Sequence, residues 1–182
     1  MKRGTRQLTG MALLIALAVV LTRFASLRVS IGGVEGIRLG FGTLPIVLGG
    51  VFYGAWGGAL IGAVSDVVGF FLSPMGPYVP HFTLTAALTG FIPGLILRLR
   101  RAGPCPGIGD LALAIGVGQV VVALGLIPLF LYQLFRQPYL VNFVPRLVAQ
   151  AILIPTYVAF GRIVTARTLL LRRASSARIP GE

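Results

Sequence analysis

Long apolar stretches alternate with short basic or proline-rich segments along this chain. After a basic start at residues 1–7 (MKRGTRQ), an apolar run extends from Leu8 to about Thr22. That run is short for a membrane span, so a cleaved signal peptide competes with a retained helix. Arg23 separates the run from Ala25 and no small-x-small site precedes it, which favours a retained helix with Arg6 and Arg23 snorkelling to the two surfaces. Residues 26–40 alternate apolar and polar positions about Gly32-Gly33, the pattern of an extended hairpin serving as a lid or as a plain connector. From Phe41 to Leu72 the chain is again apolar, with Asp66 as its charged interruption. One helix over that stretch would be about 48 Å long, against a hydrocarbon core of about 30 Å. The segment must break, and Phe52-Tyr53-Gly54-Ala55 is the natural place, giving helices over 42–53 and 55–72.

Residues 73–80 (SPMGPYVP) cannot be helical, because proline lacks an amide donor and constrains the residue before it. A fourth helix follows over 81–97, ending at Arg98, Arg100 and Arg101. Residues 102–109 are turn-rich, and a fifth helix spans 111–132 with a kink expected at Pro128. A sixth begins near Asn142 and runs past Arg162 towards Arg173. The pattern describes an all-α integral membrane protein of six transmembrane helices, one domain over 1–173, with a disordered cytoplasmic tail at 174–182.

Composition supports a lipid medium. Of 182 residues, 56% are hydrophobic and 11% charged, where a soluble domain is about a quarter charged. The net charge of +12 also invites a nucleic-acid reading, because Lys and Arg neutralise phosphates. Their distribution argues for topology instead. With six spans, one side holds Lys2, Arg3, Arg6, Arg98, Arg100, Arg101, Arg162, Arg167, Arg172, Arg173 and Arg178, eleven of the sixteen basic residues. Arg23, Arg28, Arg38, Arg136 and Arg146 fall on the other. This bias puts both termini in the cytoplasm of a prokaryotic cell membrane.

Polar groups inside a span are costly, so each is a functional hypothesis. Asp66 lies in the outer half of its helix, where it either pairs with Arg146 or accepts hydrogen bonds from a substrate. Arg146 shares a face with Asn142 and Gln150, and its guanidinium fork suits a carboxylate. Tyr78, His81, Phe82, Thr83 and Thr85 follow the proline-rich loop. Aromatic rings beside hydroxyls suit a flat heteroaromatic ligand, although aromatic residues also gather at membrane interfaces for anchoring alone. His81 and Cys105 are the lone residues of their types, so no zinc-like cluster and no intrachain disulfide is expected. No glycine loop with a following Lys and Ser or Thr is present, so ATP binding of that kind is not expected. Asp66 and His81 would be the sole acid–base pair for an enzyme, and 182 residues leave little room for a carrier built from paired repeats. The chain reads as a binder, without catalytic residues or a cofactor, that depends on an external energy source; a structural membrane protein with no ligand is the other reading.

At this point residues 37–46 (IRLGFGTLPI), 73–86 (SPMGPYVPHFTLTA) with Gly90 and Gly94, and Val144-Pro145-Arg146 with Pro155 resemble the folate family of S components. These are the substrate-binding subunits of energy-coupling factor (ECF) vitamin transporters. The resemblance covers nearly the whole chain. It implies an S-component-like bundle that binds a vitamin from outside, in a pocket closed by the loops after helices 1 and 3. It also implies a transmembrane coupling subunit and two cytoplasmic ATPases as partners, docking on small residues of helix 1, here Ala12 and Ala16, and a toppling motion that releases substrate inside. Folate fits the residues: Asp66 could accept from the pterin edge, Phe41, Tyr78 or Phe82 could cover its face, and Arg146 or Arg38 could hold the glutamate tail. Relatives often carry a basic residue near Gln150, which leaves pantothenate or a thiamine precursor as alternative ligands.

Overall fold

The computed structural model describes residues 2–24, 26–28, 38–72, 78–103, 106–136 and 138–177. Helix α1 (Lys2–Phe24) leads into a hairpin of β1 (Ser26–Arg28) and β2 (Arg38–Gly40), antiparallel with Leu27 opposite Leu39. Then come α2 (Thr43–Leu72), α3 (Pro80–Leu99), α4 (Ile108–Gln119), a π-helical segment (Val120–Leu126), α5 (Ile127–Phe135) and α6 (Tyr139–Ala177). The expected hairpin is present at its two ends, while its centre and most of the proline-rich loop, residues 29–37 and 73–77, lie outside the described residues.

The expected break in the long apolar segment falls at Gly54, whose φ of 76° and ψ of −176° are open to glycine and strained for residues with a Cβ. The chain doubles back there. A Cβ built on Gly58 would lie 2.6 Å from the Gly50 Cα, whereas eight residues of continuous helix would separate the two by about 12 Å. Helix α2 is therefore two antiparallel rods, 43–53 and 55–72. Against the second rod lies α3, also antiparallel and in a fixed register. The Gly58 and Gly90 backbones touch, so a Cβ on either would strike the other's carbonyl, and Gly62 meets Ala86 in the same way. Ala55 and Gly94 close the seam at the Gly54 end. Small residues let the backbones approach, which is how apolar helices gain packing energy when lipid is as apolar as they are.

On the other side of α3, Pro93 is fully buried against Gly118 of α4. Leu111, Ala114 and Ile115 of α4 join Ala149, Leu153, Tyr157 and Val158 of α6 with Val47 and Leu97 in the main core. A second cluster packs Ala18 of α1 on Ile46 and Ile61.

Several features differ from expectation, among them the fifth helix, which with its π-helical segment spans 108–135 rather than 111–132. Helix α6 starts at Tyr139 rather than Asn142, and it continues to Ala177, so residues 174–177 are helical and 178–182 lie outside the described residues. The expected kink at Pro128 is a π-helical stretch just before it. Proline has no N–H to give the carbonyl four residues back, here Leu124. The Tyr139 hydroxyl donates to that carbonyl at 3.1 Å, so a residue of the next helix supplies the missing bond.

Four stretches, 43–72, 80–99, 108–134 and 143–167, are long and apolar enough to cross a membrane, while the apolar part of α1, Gln7–Thr22, is shorter. Their outward faces carry exposed Trp56, Leu60, Val64, Val68, Val117, Val121, Val148, Ile152 and Ile163. A belt of that kind is a lipid-facing surface.

Candidate functional site

The register of α2 and α3 builds the site. Each step of four along the second rod of α2 is matched by a step back of three or four along α3: Gly58 with Gly90, Gly62 with Ala86, then Asp66 with Thr83. At that third step the seam turns from small to polar. Thr83 Oγ1 donates to Asp66 Oδ2 at 2.7 Å, and the Tyr78 hydroxyl is hydrogen-bonded to the same Thr83 oxygen, also at 2.7 Å. One step further, the Phe70 ring meets Tyr78 edge-on at 5.2 Å. A half-buried carboxylate, two hydroxyls and two aromatic rings thus lie at the end of the bundle opposite Gly54.

Other expected residues gather at that end. His81 stacks edge-on against Phe130 of α5 at 4.9 Å, and Phe82 is half-buried on the first turn of α3. Phe41 sits in the turn before α2, where its carbonyl accepts from the Leu44 amide. Thr85 is buried with its hydroxyl spent on the Phe82 carbonyl at 2.8 Å, so it serves the helix start. Arg146 and Gln150 are half-buried on the first half of α6. Arg38 and Asn142 belong to β2 and α6, and their side chains lie outside the described residues. Ala12 and Ala16 are exposed on α1, while Ala18 and Val19 of the same helix are buried.

Sequence reasoning passes over several residues here. Phe70, Phe130 and the stacked pair Tyr139–Phe143 line this end, and nothing in an apolar sequence separates such rings from anchoring ones. Gln119 is different. It is 4% exposed and its Nε2 has no hydrogen-bond partner, and a lone amide within an apolar span is a signal that the sequence does carry.

An apolar groove of about 610 Å³ lies between α4 and α6, lined by Ile108, Ala112, Pro155, Val158 and Arg162 among others. It sits at the end opposite the polar cluster, beside Pro106, whose carbonyl accepts from Arg162 Nη1 at 3.2 Å. Its nearly pure hydrocarbon lining offers little to orient a polar ligand, so the Asp66 end is the candidate site. Among the described residues no group of three His, Cys, Asp or Glu side chains could hold a metal ion.

Comparison with known proteins gives the context. The family model described as "ECF-type riboflavin transporter, S component" matches residues 2–165. The folate transporter FolT of Clostridium novyi (strain NT) is 35% identical over 147 residues, covering 81% of this chain and 80% of its own. The crystal structure of FolT bound with folic acid superposes with a TM-score of 0.71 at 29% identity, covering 87% of this chain and 90% of that one. The S component for biotin from an ECF-type ABC transporter shares the fold, with a TM-score of 0.65 at 17% identity over 94% of this chain and 93% of its own. With a family model spanning nearly all of its length, this multi-pass membrane protein belongs to the S components, the substrate-binding subunits of ECF-type transporters.

Proposed function

We propose that this S component captures folate from outside the cell. The observation that carries the reading is the 35% identity with a folate transporter over four-fifths of both chains. The site's chemistry agrees. Asp66, positioned by Thr83, accepts from the donor edge of the pterin, and Tyr78, Phe82 and Phe41 cover its flat faces. Arg146, with Arg38, Asn142 and Gln150, takes the glutamate tail, while His81 and Thr83 frame the entrance and the buried Thr85 supports it by holding the first turn of α3. The chain crosses the membrane six times, counting α1 and the two rods of α2 separately, with both termini in the cytoplasm. Support for that orientation comes from the Gly54 end, which gathers the start of α1, the end of α3 with Arg98, Arg100 and Arg101, and Arg162. The exposed Ala12 and Ala16 dock a transmembrane coupling subunit, which with two ATPases drives release inside.

The family model's description favours a second reading, riboflavin. The two ligands differ where Arg146 would act, since folate carries carboxylates and riboflavin none. Calorimetric titration of the purified protein with each separates them. Tight binding of folate, with riboflavin at least a hundredfold weaker, is the expected result; the reverse order removes the folate assignment. The single tryptophan, Trp56, lies ten residues and about 15 Å from Asp66 along the same helix, so intrinsic fluorescence is a poor substitute for calorimetry.

A further inference from the structure

The apolar groove between α4 and α6 has no part in the site at the Asp66 end. Val158 is buried at its floor, whereas Ala112 of α4 and Ala159 of α6 line it and are exposed. Methyl groups at those two positions leave open a gap that larger side chains would fill. On α6 the lining runs from Ile154 to Ile163, nine residue steps or about 14 Å of helix. That is close to the depth of one leaflet, half of a hydrocarbon core of about 30 Å. The same residues fall in the second half of the span 143–167, and Ile108 and Ala112 stand at the start of the span 108–134. The groove therefore lies within a single leaflet, and exposed Ile163 at its edge belongs to the lipid-facing belt. One end of it is basic. Arg162 lines the groove and is exposed, and Nη1 donates to the Pro106 carbonyl at 3.2 Å, which uses one of the five N–H donors of the guanidinium. Arg167 is exposed one turn past Ile163 on the same row of α6. Helix α4 starts at this rim without a side-chain cap, its Gly107, Ile108 and Gly109 are exposed, and a Cβ on Gly109 would meet nothing within 4 Å. The acidic residue of that first turn, Asp110, is paired with Arg100 Nε at 2.7 Å.

We propose that this groove holds one acyl chain of an anionic phospholipid, with the lipid phosphate at Arg162 and Arg167 beside the open first turn of α4. The hydrocarbon lining asks for nothing more specific than a chain of leaflet length. The rim supplies the selection: a guanidinium makes paired hydrogen bonds to a phosphate, and the positive end of a helix dipole favours the same charge. Basic pockets between spanning helices on the cytoplasmic side are where anionic headgroups bind, and the cytoplasmic leaflet is rich in such lipids. The folate assignment plays no part in this inference. Only the choice of leaflet rests on the orientation proposed above.

The test is native mass spectrometry of the purified protein, titrated in detergent with phosphatidylglycerol, with phosphatidylethanolamine of the same acyl chains, and with glycerol 3-phosphate. The expected result is one retained phosphatidylglycerol, bound at least about fivefold more tightly than phosphatidylethanolamine, the effect of one basic side chain near the surface. Glycerol 3-phosphate, which has the phosphate and no chain, should leave no adduct. Ala159→Phe fills the groove from an exposed position and keeps both arginines; it should abolish lipid retention and leave folate titration unchanged. Arg162→Gln should weaken phosphatidylglycerol by about fivefold, and Arg162→Lys should restore most of that loss. Equal retention of the two lipids overturns the inference, because the rim then recognises no headgroup. Comparable binding of glycerol 3-phosphate also overturns it and marks a site for free anions. Phosphatidylglycerol retention that survives Ala159→Phe overturns it as well; if that variant also fails to assemble with the coupling subunit, the groove is a protein interface. A protein that retains phosphatidylglycerol in the expected way and binds no folate keeps this site and loses the folate assignment.

Discussion

Replacing Asp66 with Asn tests the candidate site most directly. The substitution preserves the shape of the side chain and leaves one oxygen to accept from Thr83 Oγ1, now at 2.7 Å from Oδ2. It puts an NH2 group where the other carboxylate oxygen stood, facing the ligand's donor edge. Two effects then add. A hydrogen bond to a charged acceptor, about 1.5–3 kcal/mol, is lost, and a buried ligand donor is left without a partner at about 1–3 kcal/mol. The sum, roughly 3–5 kcal/mol, weakens folate binding by about two to four orders of magnitude. Thr83→Val removes the hydroxyl that holds both Asp66 and Tyr78; it misplaces the carboxylate without abolishing it, and should cost about 1–2 kcal/mol, near tenfold in Kd. Calorimetry in detergent measures both, with thermal unfolding as the control for folding. If Asp66→Asn binds folate within twofold of the wild type while its unfolding temperature falls, the cluster is a structural clasp between α2 and α3, and the site lies elsewhere.

Other consequences are simpler to state. Arg146→Ala should weaken folate by about 2–5 kcal/mol if the guanidinium is the buried partner of its carboxylates; calorimetry showing an unchanged Kd removes it from the site. Gly90→Val forces a branched side chain onto the Gly58 backbone and should cost about 3 kcal/mol or more, since neither backbone can yield as a side chain could. Gly116→Ala, which meets nothing within 4 Å, should instead stabilise its helix by up to about 1 kcal/mol, and thermal unfolding of the pair contrasts close approach with helix propensity. Tyr139→Phe removes the donor to the Leu124 carbonyl and should cost about 0.6 kcal/mol in a membrane setting; an identical unfolding temperature would mean that this carbonyl finds a bond elsewhere.

The helices and the break at Gly54 were legible because both follow from one-dimensional constraints: apolar length against membrane thickness, and a glycine where the chain must reverse. The hairpin ends were legible from their alternation. Asp66 was conspicuous because a charge inside a span has few reasons to be there. Its partner was not, since the pairing with Thr83 depends on the register of two helices, and that register is set by contacts of Gly58, Gly62 and Gly90. Glycines in an apolar run look alike until their neighbours are known. The π-helical segment was hidden for a similar reason. Pro128 announces a missing hydrogen bond, but the remedy is a phenol eleven residues later, at a distance that only the turn between α5 and α6 brings near.

The same seam that fixes the register also divides the bundle by stiffness. At the Gly54 end, α2 and α3 touch backbone to backbone through Ala55, Gly58, Gly90 and Gly94, where no side chain can rotate to absorb a movement. At the Asp66 end the contact passes to hydroxyls, a carboxylate and rings, whose rotamers and partners can exchange. A ligand that takes over Asp66 from its protein partners need alter only side chains and the loop after α2, while the glycine contacts hold the two helices at a constant separation. Ligand binding should therefore be transmitted weakly to the basic end through α2 and α3. A signal to the coupling subunit proposed to dock at Ala12 and Ala16 must instead travel by α1, which leads directly into the hairpin.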